Sequence, residues 1–146
     1  MKALTRMHNR NIQGHHTVLV VEDERLMRRL LERILSRYDT SVLLAADGQE
    51  ALDIYRDHKG EISVVLLDLG LPKISGWEVF NHLKQDNPDV RVVVASGYME
   101  PDVKSKLHDA GVEHFIEKPY RLDQLMETLH GVINTDNAQS FSSRDR

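Results

Sequence analysis

Five times along this chain a short, mostly apolar run gives way to a longer stretch with apolar residues three and four positions apart. The runs are Thr17–Val21, Ser41–Ala46, Ser63–Leu67, Val90–Ala95 and Val112–Ile116. Each is too short for a helix, and as a set they are near-continuous apolar runs, as expected of strands covered on both faces. Between them, Leu26, Met27, Leu30, Leu31, Ile34 and Leu35 recur at helical spacing, as do Ala51, Leu52, Ile54 and Tyr55. Trp77, Val79, Phe80 and Leu83 mark a third helix, Val103 and Leu107 a fourth, and Leu122, Leu125, Met126, Leu129, Val132 and Ile133 a fifth. Strand–helix alternation with right-handed crossovers predicts an α/β fold, a doubly wound five-stranded parallel sheet flanked by five helices.

The 146 residues fit one domain, placed at 17–133, with 1–16 and 134–146 expected to be flexible tails. A formal net charge of −4 speaks against direct nucleic-acid binding by bulk electrostatics. No apolar run approaches the roughly 20 residues of a membrane span, and the basic N-terminus lacks an apolar signal core. The chain has no cysteine, which removes disulfide and thiol chemistry and fits a cytoplasmic location.

In such a sheet, ligands bind beyond the carboxyl ends of the strands. The first strand is followed by Glu22 and Asp23, the third by Asp68, the fourth by Ser96 and Gly97, and the fifth by Glu117, Lys118 and Pro119. Three acids, a hydroxyl and a lysine should therefore share one rim. Carboxylates so close need a raised pKa or a bound cation, and hard oxygen ligands favour Mg²⁺. Asp68, mounted on an apolar strand, is suited to act as a nucleophile toward phosphorus, with Ser96 and Lys118 stabilising the transferring group. The turn at Gly70-Leu71-Pro72 bends the chain so that a backbone carbonyl can also face the metal.

The motifs VVEDE, DLGLPKISG, ASGY and EKPY, in that order and at these separations, resemble the receiver domain of bacterial two-component response regulators over about residues 17–133. The resemblance implies the flavodoxin-like strand order 2-1-3-4-5. It matches Asp68 to the phosphoacceptor, Asp23 and Glu22 to the acids that hold Mg²⁺ directly and through water, and Gly70 to the metal-binding carbonyl. Ser96 matches the hydroxyl residue that turns toward the phosphoryl group, Lys118 the lysine that pairs with it, and Phe115 the aromatic switch. The Lys118–Pro119 bond is typically cis in this family. The implied function is a phosphorylated signalling switch and not a turnover enzyme: Asp68 accepts phosphoryl from a sensor histidine kinase or a phosphotransfer protein, and slow self-hydrolysis follows. The face formed by the fourth helix, fifth strand and fifth helix then changes to control a downstream protein, and a homodimer can form through it. The wording ASGY is similar to receivers attached to hybrid sensor kinases.

Blander readings exist for each residue alone. Asp68 could be a turn aspartate, Lys118 a solvated lysine, Phe115 a core aromatic, and Glu22-Asp23-Glu24 a cap for the first helix. The convergence of Glu22, Asp23, Asp68, Ser96 and Lys118 on one rim outweighs those readings for Asp68 and Lys118, helix capping by the acids is compatible with metal binding, and the switch role of Phe115 rests on the resemblance. An aspartate-nucleophile phosphatase would carry D-x-D-x-T after the first strand, where this chain has Glu22-Asp23-Glu24-Arg25-Leu26. A flavin mononucleotide carrier would meet repulsion between its phosphate and the same acids. A receiver-like module that signals by binding alone is the remaining alternative. Tyr98, two residues past Ser96, is expected to shield an acyl phosphate from water.

Overall fold

The computed structural model describes residues 15–97 and 100–144, with 135–144 described by their backbone alone. The strands are β1 (His16–Val21), β2 (Thr40–Ala45), β3 (Val64–Asp68), β4 (Val92–Ser96) and β5 (His114–Glu117). The helices are α1 (Arg25–Leu35), α2 (Gly48–Asp57), α3 (Gly76–Asp86), α4 (Pro101–Asp109) and α5 (Leu122–Arg144), with a 3₁₀ turn at Ser36–Tyr38. All strand pairs are parallel and the order is β2-β1-β3-β4-β5, the flavodoxin-like doubly wound arrangement.

The period of two along each strand divides the core into two layers. Leu19 and Val21, Val65 and Leu67, and Val92 and Val94 pack with Ala51 and Tyr55 of α2, Val79, Phe80 and Leu83 of α3, and Leu107 of α4. Val18 and Val20, Val64 and Leu66, Val93 and Ala95, and Ile116 pack with Leu31 and Leu35 of α1 and with Leu125, Leu129, Val132 and Ile133 of α5. Burying each such side chain contributes roughly 1.5–3 kcal/mol, and this, more than helix propensity, fixes the helices to the sheet.

Local signals set the helix ends. Asp47 caps α2 by accepting from the Glu50 N–H at 2.9 Å, and Ser75 caps α3 by accepting from the Glu78 N–H at 3.2 Å. Pro101 occupies the first turn of α4, where its missing N–H costs nothing. By contrast, Glu24 stands at the N-cap of α1 and makes no side-chain cap. The last helix runs past Ile133, where its apolar stripe ends, to Arg144. No glycine or proline follows Gly131 within that span, so nothing in the sequence stops the backbone ladder. Among the described residues no helix is long and apolar enough to cross a membrane.

Candidate functional site

The rim at the carboxyl ends of β1, β3 and β5 gathers Glu22, Asp23, Asp68 and Lys118. The alternation explains which side chains meet. Val18 and Val20 face the α1/α5 layer, and Glu22 continues that series. Leu66 faces the same layer and is followed in phase by Asp68; Ile116 does so and is followed by Lys118. Since Val21 pairs with Leu67, Glu22 and Asp68 emerge side by side; Asp68 pairs with Ala95 and Ala95 with Ile116, so Lys118 lies two residues beyond that level in the same phase and reaches the two acids from the far side of β4.

Lys118 is the hub. Its Nζ donates to Glu22 Oε1 at 3.0 Å and Oε2 at 3.3 Å, and to Asp68 Oδ2 at 3.1 Å. The other Asp68 oxygen, Oδ1, accepts from the Gly70 N–H at 2.9 Å. Glu22 is 0% exposed and Asp68 5%. One carboxylate oxygen from each of Glu22, Asp23 and Asp68 lies within 4.8 Å of the others, with Asp23 exposed to solvent.

Two carboxylates and one ammonium leave an excess negative charge in a site shielded from water. Burial, reinforced by the hydrogen bond and negative charge of Asp68, pushes the Glu22 carboxyl up to about 7 against the opposing pull of Lys118. Burial also pushes Asp68 up, but hydrogen bonds from Glu22, the Gly70 N–H and Lys118 outweigh it and hold Asp68 below its ordinary value. Lys118 is raised, because its bonds to Glu22 and Asp68 outweigh its own desolvation. The pair is thus divided: Asp68 keeps the charge a nucleophile needs, and Glu22 takes up a proton first.

The chemistry of the donor set fits Mg²⁺. Three carboxylates supply hard oxygens in a cluster open to solvent on the Asp23 side, so a small cation could keep some of its waters.

Gly76 has a structural reason at this site. A Cβ there would lie 2.5 Å from the Asp68 carbonyl oxygen and 2.5 Å from Leu69 Cα, so only glycine lets α3 start this close to the end of β3. Lys73, in the same loop, adopts a left-handed φ of 66° and reaches Asp47 at 3.5 Å, tying the loop to the start of α2.

Ser96 stands at the end of β4, on the opposite phase to Asp68. Its carbonyl accepts from the Lys118 N–H at 2.6 Å, which joins β4 to the start of the β5–α5 loop. Among the described residues, no side-chain hydrogen bond joins Ser96 to the acids or to Lys118. Phe115 is partly buried and packs against the α2/α3/α4 layer opposite Val94. The Lys118–Pro119 bond is cis. Tyr98 lies outside the described residues, as do residues 1–14 of the expected N-terminal tail.

Two residues escaped sequence reasoning. Tyr120 packs against the α1/α5 layer with its ring centroid 5.7 Å from Lys118 Nζ, and burial together with the charges of Glu22 and Asp68 raises its hydroxyl pKa. Counting in twos from Ile116 through Lys118 would have found it. Arg28 donates through Nη1 to the Glu22 and Asp23 carbonyls, at 2.8 Å each.

The fold and its acidic rim define a class, the doubly wound α/β domains that gather buried carboxylates at the end of a central strand. Residues 18–130 match the family model described as the response regulator receiver domain, and the chain belongs to that family. It is a receiver domain with an acidic pocket typical of a phosphoacceptor site. Over 123 residues it is 34% identical to the sensor kinase CckA of Brucella abortus, spanning 84% of this chain and 13% of that protein. It is 32% identical over 116 residues to the response regulator MprA of a Mycobacterium species, spanning 80% of this chain and 50% of that protein. The chain thus spans half or less of the length of these two curated relatives. A solved CheX–CheY–BeF₃–Mg²⁺ complex from Borrelia burgdorferi is similar at a TM-score of 0.79 and 26% identity, covering 86% of this chain and 97% of that one.

Proposed function

We propose that Asp68 accepts a phosphoryl group from a phosphohistidine on a partner kinase or phosphotransfer protein. A carboxylate oxygen of Asp68 forms the new O–P bond, the N–P bond of the donor breaks, and the imidazole keeps the electron pair. Bound Mg²⁺ would supply charge neutralisation on the phosphoryl oxygens. Asp23, Asp68 and the Gly70 carbonyl are the proposed direct ligands, with Glu22 acting through water. Lys118 pairs with the transferred group, Ser96 turns toward it, and hydrolysis later returns the free carboxylate. The observation that carries this reading is the setting of Asp68: buried, and held between the Lys118 ammonium and the Gly70 N–H.

The output side of the reading is a change in the α4–β5–α5 face, with Phe115 turning inward, and its target is a downstream protein or a second copy of this chain. The Lys104–Glu117 ion pair, 3.2 Å across α4 and β5, spans that face and is the contact such a change must rearrange. On the input side, α1 begins two residues after Asp23 and exposes Leu26 by 81% and Leu30 by 50%, flanked by Arg29 and Arg33. An apolar and basic helix face beside the acceptor supports docking of an apolar, acidic surface of the phosphodonor protein. The likeness to part of a sensor kinase also fits a receiver of the hybrid kind.

The test is incubation with Mg²⁺ and acetyl phosphate followed by intact mass. Wild type should gain one phosphoryl group and lose it on standing, and Asp68→Asn should gain none. A gain that survives in Asp68→Asn would assign the nucleophile elsewhere. For the input face, Leu26→Glu/Leu30→Glu should slow transfer from a phosphorylated kinase but leave labelling by acetyl phosphate intact. Equal loss from both donors would reject the docking role.

A further inference from the structure

We propose that Arg28 is a positioning residue for the metal-binding acids, acting through the backbone of Glu22 and Asp23. The inference rests on the reading above that the acid cluster holds Mg²⁺.

The two acids are held in different ways. The Glu22 carboxylate is gripped directly by Lys118, at 3.0 and 3.3 Å. Among the described residues, no hydrogen bond or ion pair holds the Asp23 carboxylate. Its aim into the cluster is therefore set by its backbone. That backbone lies two residues past the end of β1 and precedes a helix whose N-cap, Glu24, provides no side-chain cap. A loop in this position would be free to reorient, except that Arg28 reaches back from the first turn of α1. Its Nη1 donates at 2.8 Å to the Glu22 carbonyl and at 2.8 Å to the Asp23 carbonyl. At the preceding peptide, the Glu22 N–H donates to the Ala45 carbonyl at 3.0 Å, anchoring the residue to β2. The Arg28 N–H in turn donates to the Glu24 carbonyl at 3.0 Å, so the residue that clamps the loop is itself fixed in the helix ladder.

The acid loop is thus pinned by β2 on one side and by a guanidinium on the other. Such outer contacts orient ligands and tune metal affinity. The positive charge of Arg28 by itself opposes a nearby cation, so the clamp and the charge predict opposite effects of removing it. A lysine at this position keeps the charge and the stem but loses the planar fork.

The experiment is calorimetric titration of Mg²⁺ into the full chain for wild type, Arg28→Met and Arg28→Lys. It is paired with acetyl phosphate labelling rates across a Mg²⁺ series. Circular dichroism at the assay temperature confirms that each variant is folded; should Arg28→Met fail to fold, Arg28→Lys carries the test. The expected result is Mg²⁺ affinity weaker by about 10- to 100-fold in Arg28→Met, with Arg28→Lys between it and wild type. In the labelling assay the loss should fall on the Mg²⁺ half-saturation and not on the rate at saturating Mg²⁺, because Asp68 and Lys118 are untouched. Unchanged or tighter binding in folded variants overturns the role of Arg28 while leaving the metal site standing. Absence of Mg²⁺ binding in wild type overturns the site reading itself, and the role of Arg28 with it.

Discussion

Replacing Glu22 with glutamine should stabilise the metal-free protein at neutral and alkaline pH. Glu22 is fully buried, and its carboxyl is pushed from 4.5 up to about 7 in the folded chain. A group whose folded pKa is raised contributes stability that is complete below its unfolded value and is lost as pH rises through its folded value. For Glu22 that window runs from 4.5 to about 7, and the loss across it amounts to about 3 kcal/mol at 1.36 kcal/mol per unit. Asp68 has the opposite sign: its folded value is depressed, so its contribution is present above 3.8 and fades only in more acid solution. Lys118 is raised and loses its contribution only above 10.5. Between pH 5 and 8 the changing member of the cluster is therefore Glu22. Glutamine keeps the shape, can accept from Lys118 and donate to Asp68, and cannot ionise. Urea denaturation in EDTA at several pH values should show wild type losing stability relative to Glu22→Gln as pH rises, with the mutant ahead by up to about 3 kcal/mol at pH 8. Mg²⁺ should narrow the gap, because a cation binds the ionised acid and not the amide. Parallel pH profiles would refute the claim that Glu22 carries the excess charge of the site.

Two further outcomes follow from the same geometry. Lys118→Met leaves Glu22 and Asp68 buried without their cation, so it should abolish labelling by acetyl phosphate. It should also cost about 3 kcal/mol or more at pH 8 and less at pH 5.5, where Glu22 can hold a proton, as read by urea denaturation at both values. Gly76→Ala places a Cβ 2.5 Å from two backbone atoms and should cost about 2 kcal/mol or more, whereas Gly97→Ala, with nothing within 4 Å of its Cβ, should stay within about 0.5 kcal/mol in the same denaturation assay.

Much of the fold was legible because strand and helix periods differ and each run was long enough to show one of them. The sequence reading starts β4 at Val90 and β5 at Val112, but the structure starts them at Val92 and His114. Val90 and Val112 are nevertheless buried, so apolar character alone could not separate strand from the loop that enters it. Exposed Leu26 and Leu30 sit within the helical stripe of α1, and the periodicity counts them with buried Leu31 and Leu35 although they face solvent. The alternation Ile116, Lys118, Tyr120 was readable, and so was the shared phase of Glu22 and Asp68. Arg28 was not, since an arginine on a helix says nothing about which carbonyls it reaches.

By itself the sequence determined the class of architecture and the rim on which the chemistry falls, because hydrophobic period and strand-end position are local properties of the chain. Only the tertiary structure decided which rim residues touch. Lys118 bonds Glu22 across 96 positions of sequence, and that contact exists only once β5 has been placed at the edge of the sheet and the Lys118 side chain reaches back to the ends of β3 and β1. The same assembly buries Glu22 and leaves Asp23 in solvent, two neighbours identical in charge. Burial, more than residue type, is what raises one carboxyl toward neutrality, and the cation and N–H that the fold brings to Asp68 are what keep the other ionised.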